Sequence, residues 1–392
     1  MDSSPRKIIL PVIVISQFLC TSLWFAGNAI LGNIIETFNL QEGFLANLTS
    51  SVQFGFIAGT FVFAVLAVAD RFSPSKVFFV SSLFAAICNL GMITPSIGPA
   101  GLLTSRFLTG FFLAGIYPVG MKISSDHYQK GLGRSLGFLV GALIVGTSFP
   151  HLLRSITTDL PWRAVVFSTS GLSLLGGFAM ISLVPDGPFR KRSRRLELTS
   201  FLKGYSNKNF RSASLGYFGH MWEVYTFWAF VPVMLTAFGN RRSIDLNVPL
   251  LSFVIIASGG LACVVSGILS LRYGAKKIAT LALFSSCLCC IFSPLFLLGD
   301  STVLLIGFLF LWGMAVAADS PLFSTLVAQN AAEESRGSAL TIMNCIGFSI
   351  TIVSLQCTSF LIRFFSAEIV FITLALGPIL GLVALVTNRN AR

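Results

Sequence analysis

The stretch Val184–Arg211, VPDGPFRKRSRRLELTSFLKGYSNKNFR, is the longest hydrophilic interval in the chain. It carries Arg190, Lys191, Arg192, Arg194, Arg195, Lys203, Lys208 and Arg211 against only Asp186 and Glu197. In a soluble protein such a run reads as a nucleic-acid patch. Its flanks argue against that here: long apolar runs end at Val184 and resume by Leu215. Lys and Arg resist translocation, so a short basic loop between apolar spans stays on the cytoplasmic side. The interval lies near the middle of the 392 residues, with similar lengths of apolar sequence on either side. It reads as a cytoplasmic linker, 185–210, joining a membrane half at 1–184 to a second at 211–392.

The composition agrees. The chain is 54% hydrophobic and 11% charged, far from a soluble globular domain. The net charge of +12 is explained by loops that set topology rather than by an anionic partner, and no nucleic-acid partner is expected. All eight cysteines (20, 88, 263, 287, 289, 290, 345 and 357) fall in apolar segments, and no CxxC pair is present. They read as small buried hydrophobes rather than metal ligands or disulfides. Arg6 and Lys7 precede an apolar run that is long enough to span and has no convincing cleavage site, so it reads as a first helix and not a removed signal.

A spanning helix needs about 20 mostly apolar residues. Twelve segments meet that test: 8–33, 44–69, 77–95, 100–122, 134–156, 163–184, 211–238, 247–271, 278–298, 301–326, 337–363 and 366–387. The expected fold class is all-α and membrane-integral, because backbone groups in lipid must be satisfied within the segment. With the N-terminus inside, the inner loops and tails hold 21 of the 27 Lys and Arg. The outer loops hold Arg154, Arg163, Arg241, Arg242 and Arg363, and Arg106 lies within a span. This asymmetry predicts both termini in the cytoplasm and an even helix count.

The chain also repeats itself. Asp70-Arg71 after the second span matches Arg272-Tyr273-Gly274 after the eighth, at an offset of 201 from Arg71 to Arg272. Gly110, Ala114 and Pro118 in the fourth span match Gly313, Ala317 and Pro321 in the tenth, at an offset of 203. Gly133-Arg134-Ser135-Leu136 matches Gly337-Ser338-Ala339-Leu340 at 204. Three matches in order predict duplicated six-helix halves of one orientation, the parallel repeat of some transporters.

Here the chain resembles the major facilitator superfamily over essentially its whole length. Ala69-Asp70-Arg71-Phe72-Ser73-Pro74-Ser75-Lys76 resembles the family signature between helices two and three, usually D-R-x-G-R-[KR], with Ser73 where Gly is common and Pro74 where a basic residue is common. Arg272-Tyr273-Gly274-Ala275-Lys276-Lys277 is its second copy, keeping the Gly and lacking the Asp. Arg106-Phe107-Leu108-Thr109-Gly110 resembles the fourth-helix R-x-x-x-G motif, and Pro161-Trp162-Arg163 the Trp-Arg pair before helix six. The resemblance implies twelve helices in two pseudo-symmetric six-helix bundles. It also implies a gating loop at Asp70, Arg71 and Arg272 that latches the halves on the cytoplasmic side, and a coupling role for Arg106. Helix five has Gly137, Gly141, Gly146 and Pro150, but Ala142 follows Gly141, so the antiporter form G-x-x-x-G-P is incomplete.

Ionisable residues inside a span are costly and mark pathways by default. The richest island is Tyr217 to Trp228 in the seventh span, with Glu223 near mid-depth, His220 three residues earlier on the same face, and Trp222, Tyr225 and Trp228 alongside. Glu223 is the candidate proton carrier, His220 its relay, and Arg106 a cation that modulates it. Asp319 in the tenth span reads either as a site residue or as a cap. Trp24 and Asn28, with Gln17, mark the first span, which commonly lines the cavity in the resembled family. The candidate pathway is therefore Trp24, Asn28, Arg106, His220, Glu223, Trp228 and Asp319.

No G-x-x-x-x-G-K-[ST], H-E-x-x-H or G-x-S-x-G occurs, so neither an enzyme nor a cofactor or metal site is expected. The function expected is secondary transport of a small solute by alternating access, coupled to protons, by a monomer in contact with membrane lipid. The expected location is the plasma membrane, of the bacterial inner-membrane type. Two alternatives stand beside it: a multidrug efflux proton antiporter, and a non-transporting membrane sensor or assembly partner.

Overall fold

A computed structural model of the chain describes residues 8–41, 43–94, 97–128, 132–190, 202, 204–332 and 336–388. The linker cations Lys191, Arg192, Arg194, Arg195 and Lys203 lie outside the described residues. Every regular element among those described is helical. Eleven helical stretches are long and apolar enough to cross a membrane, and Ile9–Thr21 is a shorter apolar helix. The chain divides into two compact units, Met1–Glu197 and Leu198–Arg392.

In the first unit the helices are α1 (Ile9–Thr21), α2 (Ala26–Ala29), α3 (Leu31–Phe38), α4 (Phe44–Val65), α5 (Val68–Arg71), α6 (Pro74–Leu90), α7 (Gly98–Leu113), α8 (Tyr117–His127), α9 (Leu132–Ile156) and α10 (Arg163–Leu183). The expected first span, 8–33, is therefore not one rod. It is interrupted between Thr21 and Ala26 and runs on to Phe38. The 13 residues of α1 cover about 20 Å, short of the roughly 30 Å hydrocarbon core. α4 packs along α7, α6 along α10, and α1 along α9 and α10. The α4–α7 crossing is backbone on backbone. A Cβ at Gly110 would fall 1.9 Å from Val52 O, and one at Gly55 the same distance from Phe107 O. Glycine is required there because helices approach this closely in a membrane only when small residues face each other.

The second unit holds α11 (Lys208–Arg242), α12 (Val248–Tyr273), α13 (Ala275–Leu297), α14 (Thr302–Ala318), α15 (Ser320–Asn330), α16 (Arg336–Leu361), α17 (Ala367–Val370) and α18 (Leu376–Thr387). Three of these helices begin at side-chain caps. Asn207 accepts from Asn209 N at 2.9 Å, Asn247 from Leu250 N at 3.1 Å and Ser301 from Leu304 N at 3.4 Å, each taking up an amide that the first turn leaves free. α11 packs against α16 and α18, and α12 against α14. Of the eight cysteines, Cys357 is exposed and Cys88 and Cys345 are half-buried, so burial holds for the other five only.

The duplication is visible in three dimensions. Gly313 stands over Ile255 O, 2.3 Å from where its Cβ would be. Gly110 stands in the same way over Val52 O, and both members of the pair shift by 203. α7/α8 and α14/α15 break at equivalent positions, with Pro118 and Pro321 in the first turn after each break.

Candidate functional site

In the second unit, α11 carries two buried ionisable groups on neighbouring turns. Glu223 is fully buried. Its Oε1 accepts from the Trp312 indole N–H at 2.6 Å, and its Oε2 accepts from Ser286 Oγ at 2.9 Å. The donors come from α14 and α13, so the carboxylate ties three helices together. Both are neutral, and no cation pairs with Glu223 among the described residues. Each donor sits where its own packing fixes it: the Trp312 ring lies 4.6 Å from Phe227 and 5.7 Å from Phe308.

His220, expected to serve Glu223, turns elsewhere. Its Nδ1 lies 2.8 Å from Asp319 Oδ1, and its Nε2 is 3.0 Å from Ser320 Oγ. Both partners sit at the α14/α15 break. Asp319 is thus the close partner of a buried imidazole and an end residue of helix at once. Its main-chain oxygen accepts from Leu322 N and Phe323 N, each at 3.0 Å. The carbonyls freed just before the break are taken by α12: Cys263 Sγ bonds Ala317 O at 3.0 Å, and Ser266 Oγ bonds Ala318 O at 2.5 Å. Trp228 is buried, its ring 5.0 Å from Tyr225, and its indole N–H has no partner among the described residues. Tyr217 donates to Asn344 Oδ1 at 3.0 Å.

In the first unit, Arg106 on α7 is fully buried. Nη1 donates to Asn89 Oδ1 at 3.0 Å, and Nη2 donates to Leu23 O at 3.0 Å and to Trp24 O. Both carbonyls lie in the interruption that follows α1, and Leu23 O also accepts from Ala26 N at 3.4 Å. The guanidinium is the cap for the interruption, which is why the chain breaks there without Pro or Gly. Asn89 is braced by Thr169 Oγ1 at 3.2 Å and Ser170 Oγ at 3.0 Å. The acceptors of Arg106 are therefore neutral groups of its own unit. Nearby, Asn28 Nδ2 donates to Thr49 Oγ1 at 2.8 Å, and the Trp24 ring lies 4.9 Å from Phe56.

The expected gating loop forms a compact clasp at the end of the first unit where α4, α8 and α10 finish. Asp70 Oδ1 lies 2.9 Å from Lys122 Nζ, and Asp126 lies 3.7 Å from the same nitrogen. The first linker residues fold back on this loop. Arg190 pairs with Asp186 at 2.7 Å and donates to the main chain of Asp70 and Phe72. Ser73 Oγ donates to Asp186 at 2.6 Å, and Phe189 N donates to Asp126 O at 3.0 Å. Arg71 is exposed. In the second unit, the Arg272 guanidinium lies 5.2 Å from the Tyr273 ring, and Gly274 at φ +88° turns the chain into α13.

Residue-level reading of the spans passed over Trp312, Ser286, Asn89, Lys122 and Gln53. The first three are neutral, and within an apolar span it is charge that stands out in a sequence. Lys122 was counted as an inner-loop charge. Gln53 was legible as a lone carboxamide in the apolar helix 44–65. No group of three or more metal-ligating residues occurs among the described residues.

The family model described as Major Facilitator Superfamily matches residues 13–355, and again 213–391. No curated protein sequence matches the chain. Among solved structures, a mutant of the nucleoside transporter NupG superposes with a TM-score of 0.73 at 16% identity, covering 97% of this chain and 100% of that one. The human organic anion transporter MFSD10 (TETRAN) gives 0.74 at 14% identity, covering 97% and 99%. The proton:xylose symporter XylE, bound to 6-bromo-6-deoxy-D-glucose, gives 0.73 at 13% identity, covering 96% and 94%. At these identities the likeness is one of fold.

Proposed function

The chain belongs to the Major Facilitator Superfamily, and from that premise we propose that it is a proton-coupled secondary transporter of a small solute, working by alternating access of its two halves. It is an integral membrane transporter and not an enzyme. The observation that carries proton coupling is Glu223, a fully buried carboxylate in a 35-residue helix whose partners are the neutral donors Trp312 and Ser286. A carboxylate held by a permanent cation keeps its charge. One held only by neutral donors can take up and release a proton without leaving a bare counter-charge behind. A buried carboxylate off the helix axis has no packing advantage over an apolar residue, so its presence calls for a chemical use.

The His220–Asp319–Ser320 group is the second proton station. Imidazole Nδ1 and carboxylate Oδ1 approach to 2.8 Å, and a proton moving between them changes which helix segment holds the charge. The group sits at the α14/α15 break, where a change in charge acts directly on the joint between two helix segments. Trp24, Asn28, Arg106 and Trp228 belong to the solute pathway in this reading. Asp70, Arg71 and Arg272 form the cytoplasmic gate. The protein acts as a monomer in the cytoplasmic-type membrane with both termini inside.

The test is flux in proteoliposomes carrying an imposed pH gradient, with solutes chosen by a thermal-shift screen, since a solute that binds the folded state raises its melting temperature. Accumulation that follows the pH gradient and collapses with a protonophore supports the proposal. Flux that ignores the gradient contradicts the coupling, and absence of any flux contradicts transport.

A further inference from the structure

The two copies of the α4/α7 crossing differ at one buried position. Val52 and Gly110 recur as Ile255 and Gly313, so Gln53 corresponds to Ile256. Both side chains are fully buried. Ile256 fills the second copy as a hydrophobe should. Gln53 puts a carboxamide in the same place, and neither its Oε1 nor its Nε2 has a partner. The fold therefore does not need glutamine here and carries the cost of an unsatisfied buried amide.

The neighbourhood extends the pattern. Asn28 spends its Nδ2 on Thr49, one turn before Gln53, and its Oδ1 is left without a partner. Trp24 packs on Phe56, the next residue along that face of α4. Thr60, one turn further, has an unpartnered hydroxyl. Its counterpart Cys263 spends its Sγ on a main-chain carbonyl. Gln17, fully buried on α1 beside Gly120, is unpartnered at both ends.

We propose that Gln53 and Asn28, beside the Trp24–Phe56 pair, form a subsite in the first unit for an uncharged, polyhydroxylated solute of sugar or nucleoside size. The donor and acceptor inventory selects the class. The free groups are two acceptors (Gln53 Oε1, Asn28 Oδ1) and the Gln53 amide donor. A carboxylate or phosphate supplies acceptors only and would leave the two oxygens facing negative charge. An organic cation supplies donors only. A vicinal diol supplies both from each hydroxyl, and an aromatic face suits the C–H side of a ring. Arg106 commits its two terminal nitrogens to Asn89 and to the Leu23 and Trp24 carbonyls, and its Nε has no partner among the described residues, so gluconate is the arm that separates an anion site from a polyol site.

The inference rests on the transporter reading for its biological use, but its test does not. Purified full-length protein is titrated with D-glucose, D-xylose, myo-inositol and uridine, and with D-gluconate as a charged counterpart, while melting temperature and tryptophan fluorescence are followed. At least one neutral polyol raises the melting temperature saturably, and gluconate does not. Gln53→Ile, the residue that the second copy already uses, melts at or above the parent temperature and binds that polyol about tenfold more weakly, the net scale of one lost neutral hydrogen bond. Parent-like binding by Gln53→Ile overturns the inference, as does preferred binding of gluconate or failure of every neutral polyol to bind. If another solute class is carried in the flux assay while no polyol binds, the subsite falls and the transporter reading stands. If polyol binding depends on Gln53 but no flux is seen, the subsite stands and the transporter reading falls.

Discussion

The interrupted helices α7/α8 and α14/α15 are copies of one another, yet different residues sit at the break. Both follow a crossing in which a glycine lies against a main-chain oxygen, Gly110 over Val52 and Gly313 over Ile255. At the break itself the first copy has Ile116, fully buried and apolar, and the second has Asp319, fully buried and paired with His220. One helix away, the pattern inverts: Gln53 in the first copy is a polar group without a partner, and Ile256 in the second is an ordinary hydrophobe. The scaffold was duplicated and the chemistry was not. Among the described residues, the two fully buried carboxylates, Glu223 and Asp319, lie in the second copy's α11 and α14/α15, and the carboxamides unpartnered at both ends, Gln17 and Gln53, lie in the first copy's α1 and α4. In the proposed reading the second unit handles the protons and the first the solute's hydroxyls.

This comparison can be broken by exchanging the residues that differ. Ile116→Asp places a carboxylate at the first break with no counterpart of His220 expected to meet it. The loss should be about 4 kcal/mol, the scale of an uncompensated buried charge, seen as a large fall in melting temperature in detergent. A variant of parental stability would show that the first break already holds a hidden partner. The shared part of the scaffold is probed next. Gly110→Ala should cost about 3 kcal/mol and Gly313→Ala about 2 kcal/mol, because the added methyl meets main chain at 1.9 Å in one and 2.3 Å in the other. Free tolerance of either substitution would deny that the two crossings are equivalent.

Smaller effects sharpen the account. Asp319→Asn leaves His220 with a weaker partner and should cost about 1–2 kcal/mol. It should also move the pH optimum of flux, as should His220→Ala. A stability loss with an unmoved pH profile would make the pair a purely structural tie. Lys122→Ala removes the partner of the partly exposed Asp70 and should change stability by less than about 1 kcal/mol. Its effect should appear in cysteine accessibility of the cytoplasmic gate, and an unchanged accessibility would leave the loop with a topological role.

Much of this architecture was legible before any coordinates. Hydropathy located the spans, the basic linker divided them, and Gly110/Gly313 with Pro118/Pro321 announced both the repeat and, in hindsight, the two breaks. The interruption after Thr21 was not legible, because no Pro or Gly marks it. It exists because Arg106 from another helix takes the carbonyls of Leu23 and Trp24. The site was half legible for a similar reason. Charged residues in a span stand out one at a time, so Glu223, His220, Asp319 and Arg106 were found. Three-residue spacing placed His220 and Glu223 on one face and could not say that neighbouring helices would claim them separately, Asp319 for one and Trp312 with Ser286 for the other. Gln53 was visible as a residue, but its significance depends on knowing that nothing bonds it.

The central claim, that Glu223 carries the coupled proton, has one most direct measurement. Parent and Glu223→Gln proteins are reconstituted in parallel and assayed for solute exchange without a gradient and for accumulation with an imposed pH gradient. Glutamine keeps the shape, its oxygen accepting from the Trp312 indole and its amide nitrogen donating to Ser286 Oγ, but it cannot exchange a proton. The account predicts that Glu223→Gln retains exchange and loses gradient-driven accumulation by at least about tenfold, the effect of removing about 1.4 kcal/mol or more of driving force. Accumulation by Glu223→Gln at the parental level would contradict it and pass the role to Asp319 and His220.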